Sequence, residues 1–202
     1  MWPTGLEAIG VSLKGRIPAA EQAAAGRALG RLSDIGWGNR LRPLFAGGAA
    51  DQPVPLEAAE AVVQVPSDWA GGPGDWASGE PAAPARPVGV VSVASRGHGA
   101  LVETLSARIA EVGRMPLLGR AEYAPGADPG GVPRSNSAQR VRALHTALVL
   151  PPDLVEAVKA ASGPVLLVDD FSDTGWTLAV TARLLRRAGA AGVFPLVLAV
   201  QG

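Results

Sequence analysis

Two adjacent carboxylates and a turn that contains hydroxyl groups and glycine stand together in one stretch of the chain. Asp169 and Asp170 follow four apolar residues, and Thr174, Gly175 and Thr177 come shortly afterwards. Backbone N–H groups at the beginning of a helix bind phosphate, and a glycine there lets the backbone approach the ligand closely. Carboxylates beside them accept hydrogen bonds from sugar hydroxyls or bind a divalent cation. The stretch therefore predicts a site for a phosphate-bearing sugar.

The residues on either side predict the strand and the helix that position this turn. Gly163 and Pro164 precede residues 165–168, a short apolar run with two β-branched members that is typical of a buried parallel strand. After the turn, apolar residues recur at helical spacing from Leu178 to Ala188. We expect the ligand to lie at the carboxyl end of this strand, where open α/β sheets bind their ligands.

A second strand–loop–helix pattern begins after Pro87. Residues 88–94 predict a buried strand, and a short loop follows it. The helix after the loop aligns four apolar residues on one face: Leu101, Leu105, Ile109 and Val112. Two such units in one chain indicate a mainly parallel sheet flanked by helices over residues 88–202.

The rest of this region contains three more predicted strands and an irregular insertion. The strands are residues 115–118, 146–150 and 193–200, and a short helix is expected from Pro152. Pro195 either places the last strand at a sheet edge or restricts its pairing near its start. Residues 119–144 lose periodicity, which in an α/β protein usually indicates a functional loop or lid.

The first 66 residues predict a small helical N-terminal segment. Pro18 suits the first turn of an alanine-rich helix that ends near Leu32, and residues 39–45 form another short helix. Pro55 and Pro66 bound a further helix, whose packed face is predicted to contain Leu56, Ala59 and Val63. Residues 67–87 are rich in glycine, proline and alanine and predict a linker, although they contain Trp69 and Trp76.

Composition excludes several classes of protein. The chain has 202 residues, no cysteine and no net charge, so it has neither a disulfide framework nor a thiolate metal site. His98 and His145 cannot by themselves build a zinc centre, and we expect His145 to be structural. No apolar run reaches membrane-spanning length, and we expect a cytoplasmic protein. An excess of basic residues in positions 1–45 is compatible with DNA contact but does not require it, and a solvated face is the favoured interpretation.

The pattern of residues 165–177 resembles the 5-phosphoribosyl-1-pyrophosphate (PRPP) loop of type I phosphoribosyltransferases. Residues 88–202 as a whole are similar to the ComF-like branch of that family. Four segments also resemble the C-terminal accessory region of actinobacterial RecQ-family DNA helicases: residues 13–18, 34–38, 134–140 and 169–178. The resemblance implies a type I phosphoribosyltransferase-like fold in a fragment of a longer polypeptide that holds a helicase core.

The resemblance also implies roles for individual residues. In the PRPP loop, the ligand would be held by Asp169, Asp170, Asp173, Thr174, Gly175, Trp176 and Thr177. Ser95, Arg96 and Gly97 stand where the family binds pyrophosphate, and a mobile hood would contain Arg134, Ser135, Asn136 and Arg140. A magnesium ion would accompany PRPP at Asp169 and Asp170. Asp173 matches a general base of purine phosphoribosyltransferases, but an aspartate here is equally a helix N-cap.

Three functions remain open at this point. The chain binds PRPP or a nucleoside 5′-phosphate as a regulatory module of a RecQ-like helicase in DNA recombination or repair. Alternatively, it is an active magnesium-dependent phosphoribosyltransferase that transfers ribosyl 5-phosphate to a nucleobase, or a scaffold that binds DNA or protein. It lacks the Gly-x-x-x-x-Gly-Lys-Ser/Thr motif, so it does not itself hydrolyse ATP in the manner of a helicase. No recognisable base-specificity segment follows the last strand, which favours the binding module, and Trp176 replaces a small residue of the family.

Overall fold

One six-stranded sheet organises the part of the chain that the computed structural model describes, residues 1–65, 86–127 and 136–202. In chain order the strands are β1 (Arg27–Arg31), β2 (Gly89–Val93), β3 (Leu117–Tyr123), β4 (Leu148–Val149), β5 (Val165–Ser172) and β6 (Val193–Val200). Their order across the sheet is β1-β6-β5-β2-β3-β4. Every pair is parallel except β3 and β4, so the protein is α/β with a mostly parallel sheet.

Strand β5 lies inside the sheet, as residues 165–168 predict. It pairs in parallel with β2 on one side and with β6 on the other. Residues 165–168 are at most 1% exposed because both faces of the sheet are covered there. The strand continues beyond the predicted run through Asp169 and Asp170 to Ser172, so both carboxylates belong to the strand itself.

Helices cover the sheet on both faces. In chain order they are α1 (Trp37–Leu41), α2 (Leu56–Val62), α3 (Gly99–Gly113), α4 (Ser137–Ala147), α5 (Pro152–Ala161) and α6 (Trp176–Arg187). Short 3₁₀ segments add Glu7–Ile9, Ala19–Glu21 and Arg42–Phe45. Side chains of α4, α5 and α6 share one core with residues 2–13, and side chains of α1, α2 and α3 form the core on the other face.

The prediction of a helix from Pro18 to about Leu32 is wrong. Only residues Ala19–Glu21 form a helical turn, and residues Arg27–Arg31 form β1, which pairs with β6 at one side of the sheet. Alanine favours a helix locally. Residues Arg27–Arg31 instead form backbone hydrogen bonds along the free edge of β6, and this pairing outweighs the helix propensity. Gly30 permits this because a side chain there would meet the Cβ of Trp37 at 2.6 Å. The N-terminal segment is therefore only partly helical.

The remaining N-terminal predictions hold with small changes. Helix α1 and the 3₁₀ turn after it cover the predicted residues 39–45, and α2 begins after Pro55. Ala59 is buried as predicted and Val63 packs partly against the core, but Leu56 is wrong, since 69% of it is exposed and Ala58 and Val62 are buried beside Ala59. The predicted linker, with Trp69 and Trp76, lies outside the described residues except at residues 86 and 87.

Three boundaries in the second half also differ from the sequence prediction. The strand predicted at residues 115–118 is β3, which begins at Leu117 and is longer. The strand predicted at 146–150 is reduced to β4, because α4 continues to Ala147. Strand β6 is not an edge strand; its pairing with β1 begins at Leu196, directly after Pro195, as the second interpretation of that proline requires. None of the described helices is both long enough and apolar enough to cross a membrane.

The contact between α1 and β1 can be tested at Gly38. A Cβ at this position would lie 2.5 Å from the carbonyl oxygen of Arg31 and 2.8 Å from that of Leu32, and backbone atoms cannot move aside cheaply. We expect Gly38→Ala to lower the free energy of unfolding by about 1–3 kcal/mol in urea denaturation. Gly47→Ala is the control, because no atom lies within 4 Å of its Cβ position. Equal stability of the two variants would contradict the close packing of α1 on β1.

Candidate functional site

The strand order creates a crevice between β2 and β5. Strand β2 leads through α3 to β3 on one side of the sheet, whereas β5 leads through α6 to β6 on the other side. The loops that leave the two strands therefore separate above their carboxyl ends, and such a switch point is where open α/β sheets bind ligands. The two predicted loops, residues 95–97 and 173–177, meet at this crevice.

Helix α6 begins at this crevice with its first backbone N–H groups open. Gly175 is its N-cap residue, with φ of 75°, and no side chain caps the helix. A residue other than glycine is strained in this left-handed conformation, which explains the glycine of the turn. The two neighbouring helices differ: the Asp51 carboxylate accepts from the N–H of Ala100 in α3, and Asn136 accepts from Gln139 in α4. The N-terminus of α6 is thus uncapped, unlike those of α3 and α4, and its N–H groups are suited to bind an anion.

Two small adjoining cavities lie over the crevice. The first, of about 220 Å³, lies over the turn before α6 and is lined by Arg140, Asp169, Phe171, Ser172, Asp173, Thr174, Gly175, Thr177 and Leu178. The second, of about 190 Å³, lies towards β2 and is lined by Ala94, Ser95, Arg96, Tyr123, Arg140, Leu144, Asp169, Asp170, Phe171 and Thr177. Arg140 and Asp169 line both cavities, so one ligand that extends across Asp169 can occupy the two together.

Asp169 and Asp170 are buried side by side at the end of β5. They are 5% and 7% exposed, and the Asp169 Oδ1 accepts from the backbone N–H of Asp170 at 3.0 Å. Burial, followed by the charge of Asp170, raises the pKa of the Asp169 carboxyl well above its ordinary value, and the backbone hydrogen bond offsets only part of this. Asp169 is therefore an acceptor that the protein itself leaves poorly compensated.

Asp170 is held by the loop that follows β2. Its Oδ2 accepts from the Nδ1–H of His98 at 2.5 Å and from the hydroxyl of Ser95 at 3.2 Å. Its Oδ1 accepts from the backbone N–H of Phe171 at 2.7 Å. Sequence reasoning selected Ser95 but not His98, although a histidine in the loop after a predicted strand is a signal that was present in the sequence.

Two arginines and a tyrosine complete the walls of the crevice. The Arg96 guanidinium lies 5.3 Å from the ring centroid of Tyr123. Burial and the charges of Asp169 and Asp170 raise the pKa of the Tyr123 hydroxyl, while Arg96 and Arg140 act in the opposite direction. The Nε of Arg140 is buried without a hydrogen-bond partner. A donor of this kind costs free energy unless an acceptor reaches it, so it is suited to a ligand anion.

Of the other residues predicted in the turn before α6, three line the first cavity and one does not. Asp173, Thr174 and Thr177 line the first cavity, and Asp173 is exposed and makes no cap for α6, so the N-cap interpretation of Asp173 is wrong. Trp176 turns away from both cavities and stacks on Trp2, with ring centroids 6.1 Å apart.

The remaining predicted residues are placed differently again. Gly97 is exposed and lines neither cavity, and Asn136 uses its side chain to cap α4. Arg134 and Ser135 lie outside the described residues. Of the two predicted hood residues that the structure describes, Arg140 reaches the crevice, from the first turn of α4.

The residues fit a magnesium ion only if a ligand shares it. Among the described residues, no group of three or more histidine, cysteine, aspartate or glutamate side chains could hold a metal ion. Magnesium, however, is commonly bound by one or two carboxylates together with the phosphates of a substrate. Asp169 and Asp170 supply hard oxygen donors, and Asp169 is poorly compensated by the protein, which fits an ion that arrives with a phosphate-bearing ligand.

A larger cavity lies on the other side of the α6 turn. It has a volume of about 600 Å³ and runs along β1 and β6. Its walls are mainly apolar, and Ser172, Gly175 and Leu178 line both this cavity and the smaller one over the turn. The backbone at Gly175 is therefore accessible from two directions.

Neither the protein-family models nor the curated proteins with which the chain was compared contain a significant match. What the crevice binds is therefore inferred from its own groups. These are an uncapped helix N-terminus, a poorly compensated carboxylate, a tethered carboxylate, and two arginines beside a tyrosine.

The burial of Asp169 has a consequence for stability. Because its folded-state pKa is raised, its favourable contribution is complete below the unfolded pKa of about 4 and is lost as the pH rises through the folded pKa. We expect Asp169→Asn to raise the free energy of unfolding by roughly 1 kcal/mol near neutral pH, and this gain to shrink towards about pH 4. Urea denaturation across this pH range measures it. Asp173→Asn in the exposed turn is the matched control and should show no such trend; a similar trend in both variants would contradict the assignment.

Proposed function

We propose that this chain is a type I phosphoribosyltransferase-like domain that binds PRPP or a nucleoside 5′-phosphate in the crevice between β2 and β5. The observation that carries the proposal is the uncapped start of α6 beside a buried, poorly compensated carboxylate. One element offers amide donors to a phosphate, and the other offers an acceptor to a sugar hydroxyl. Asp169 and Gly175, at the start of α6, line the same cavity, so one ribose phosphate can contact both groups.

Each part of the ligand has a matching group in this proposal. The 5-phosphate accepts from the first N–H groups of α6 and from the hydroxyls of Thr174 and Thr177, where the helix dipole also favours an anion. The ribose diol donates to Asp169. A second anionic group, such as the pyrophosphate of PRPP, lies in the cavity lined by Arg96 and Arg140, with which it forms charge-assisted hydrogen bonds. A magnesium ion bound at Asp169 and Asp170 together with the ligand would offset the negative charge of the carboxylates and of the ligand.

The proposal also gives the domain a regulatory role. The resemblance of residues 13–18 and 34–38 to the accessory region of RecQ-family helicases supports a place in a longer polypeptide, where ligand binding informs a helicase in recombination or repair. The N-terminal residues that carry this resemblance adjoin the ligand-binding part: Leu13 is buried in the core under α4, α5 and α6. A ligand bound at the start of α6 therefore contacts a helix that packs in the same core as the N-terminal segment.

Catalysis is the second candidate, and one residue favours it. Asp173 lies exposed in the cavity over the turn and is not used to cap the helix, so its carboxylate is free to accept a proton from an acceptor base. An oxocarbenium-like transition state would need little more than position and electrostatic stabilisation from the same crevice.

Replacement of Gly175 tests the phosphate site. We expect wild-type protein to bind ribose 5-phosphate, PRPP and nucleoside monophosphates in titration calorimetry, with PRPP binding strengthened by Mg²⁺. Gly175→Leu should weaken all of them by more than about tenfold, because the side chain covers the amides and the left-handed backbone is strained. Gly10→Leu is the matched control, since Gly10 has a similar φ of 83° and lines neither cavity of the crevice. Unchanged phosphate binding in Gly175→Leu would show that the site is wrongly assigned.

Asp173 distinguishes the binding module from the enzyme. We expect wild-type protein to bind PRPP but to release no pyrophosphate in the presence of any common nucleobase, and Asp173→Asn to alter affinity alone. Base-dependent pyrophosphate release by the wild type would overturn this expectation in favour of the enzyme. In that case Asp173→Asn should retain binding and lose turnover, since an amide accepts no proton. A coupled pyrophosphate assay beside calorimetry measures both quantities.

A further inference from the structure

The two adjacent carboxylates of the crevice are held differently. Asp169 interacts with its neighbour, whose backbone N–H it accepts at 3.0 Å. Asp170 is instead joined to another part of the sheet, because its Oδ2 accepts from His98 at 2.5 Å and from Ser95 at 3.2 Å. Asp170 therefore connects the end of β5 to the loop that follows β2.

The connection closes into a ring of hydrogen bonds. The backbone N–H of His98 donates to the Ser95 hydroxyl at 3.1 Å, and this hydroxyl donates to Asp170, which also accepts from the His98 imidazole. The side chains of His98 and Asp170 are 25% and 10% exposed, so water competes weakly for these bonds. Both ends of the loop 95–98 are thereby fastened to one carboxylate.

The orientation of the imidazole is set by the N-terminal segment as well. The Phe45 ring meets the His98 ring edge-on, with centroids 5.3 Å apart and planes at 88°, and Phe45 also contacts Phe171 in β5. Edge-to-face contacts of this kind are favourable and directional. The ring of His98 is thus constrained by a carboxylate at Nδ1 and by an aromatic face beside it.

Arg96 lies inside the fastened loop, between Ser95 and His98. Its guanidinium contacts the Tyr123 ring at 5.3 Å and lines the cavity that extends from Asp169 towards β2. A long arginine side chain loses much conformational entropy when it binds a ligand, and a fixed backbone reduces that loss. The fastening of residues 95–98 therefore bears on how well Arg96 meets an anion in this cavity.

We propose that His98 is a positioning residue for the second anionic group of the ligand. Through Asp170 it holds the loop so that Arg96 faces the pyrophosphate, while Asp169 is the carboxylate that contacts the ribose. This inference rests on the proposed function and adds a division of labour within it. His98 does not touch the ligand; it sets the preference for ligands that carry a pyrophosphate over those that carry only the 5-phosphate.

The test compares PRPP with ribose 5-phosphate, which lacks the pyrophosphate. We expect His98→Leu to weaken PRPP binding by about tenfold and ribose 5-phosphate binding by less than about threefold, as measured by titration calorimetry with Mg²⁺. His98→Asn should restore most of the PRPP affinity, since the asparagine amide places a donor near the position of Nδ1. Thermal unfolding of each variant shows that the protein is folded.

A double variant tests the route through Arg96. Arg96→Ala should reproduce the selective loss of PRPP binding, and His98→Leu added to it should cause no further loss, because both changes remove one interaction. Independent, additive losses would overturn the proposal, as would equal loss of both ligands in His98→Leu. If wild-type protein binds ribose 5-phosphate but gains nothing from the pyrophosphate, this inference fails alone. If wild-type protein binds neither ligand, the proposed function fails with it.

Discussion

The burial of Asp169 beside Asp170 is the constraint on which the rest of the site depends. Each of these two buried carboxylates raises the free-energy cost of ionising the other. Strand β5, which is paired on both sides, holds them in place. The protein compensates them unequally. Asp170 accepts hydrogen bonds from His98 and Ser95. Asp169 keeps a raised pKa, which a bound cation or a sugar hydroxyl would lower. Asp169 thus lowers the stability of the folded protein at a position where a bound ligand would restore it, as is common in binding sites.

The sheet order decides which side chains can reach these carboxylates. Because β2 lies between β5 and β3, the loop after β2 touches Asp170, and Tyr123 at the end of β3 reaches the same cavity. Helix α4 then supplies Arg140 from above the same face. The site is therefore assembled from three strands and a helix that are far apart in sequence, and the uncapped start of α6 is its fifth element.

The sequence predicted those parts of the structure that local patterns determine. The strands in residues 165–177 and 88–94 could be predicted because a buried parallel strand is a continuous apolar run. The turns and helices that follow could be placed after them. Strand β1 was missed because Arg27–Arg31 has no alternation and only two apolar side chains; its conformation comes from pairing with β6, a partner about 170 residues away in the chain. Likewise Asp169, Ser95 and Arg140 could be selected from motifs, and His98 from its place in the loop after a predicted strand, although its partner Asp170 could not be foreseen. Tyr123 and Phe45 could not be selected, since only the strand order brings them to the crevice.

Strand β1 means that the two halves of this chain are not separable pieces. It pairs along β6, whose Leu196 and Leu198 are fully buried, while Trp2 stacks on Trp176 and Leu41, Leu44 and Val62 complete the core on the opposite face. A fragment reduced to residues 88–202 would expose the hydrogen-bonding edge of β6, its most apolar strand, and exposed edges of this kind associate with other chains. We therefore expect the N-terminal segment and the part of the chain that forms the crevice to be inherited together, as one folding unit.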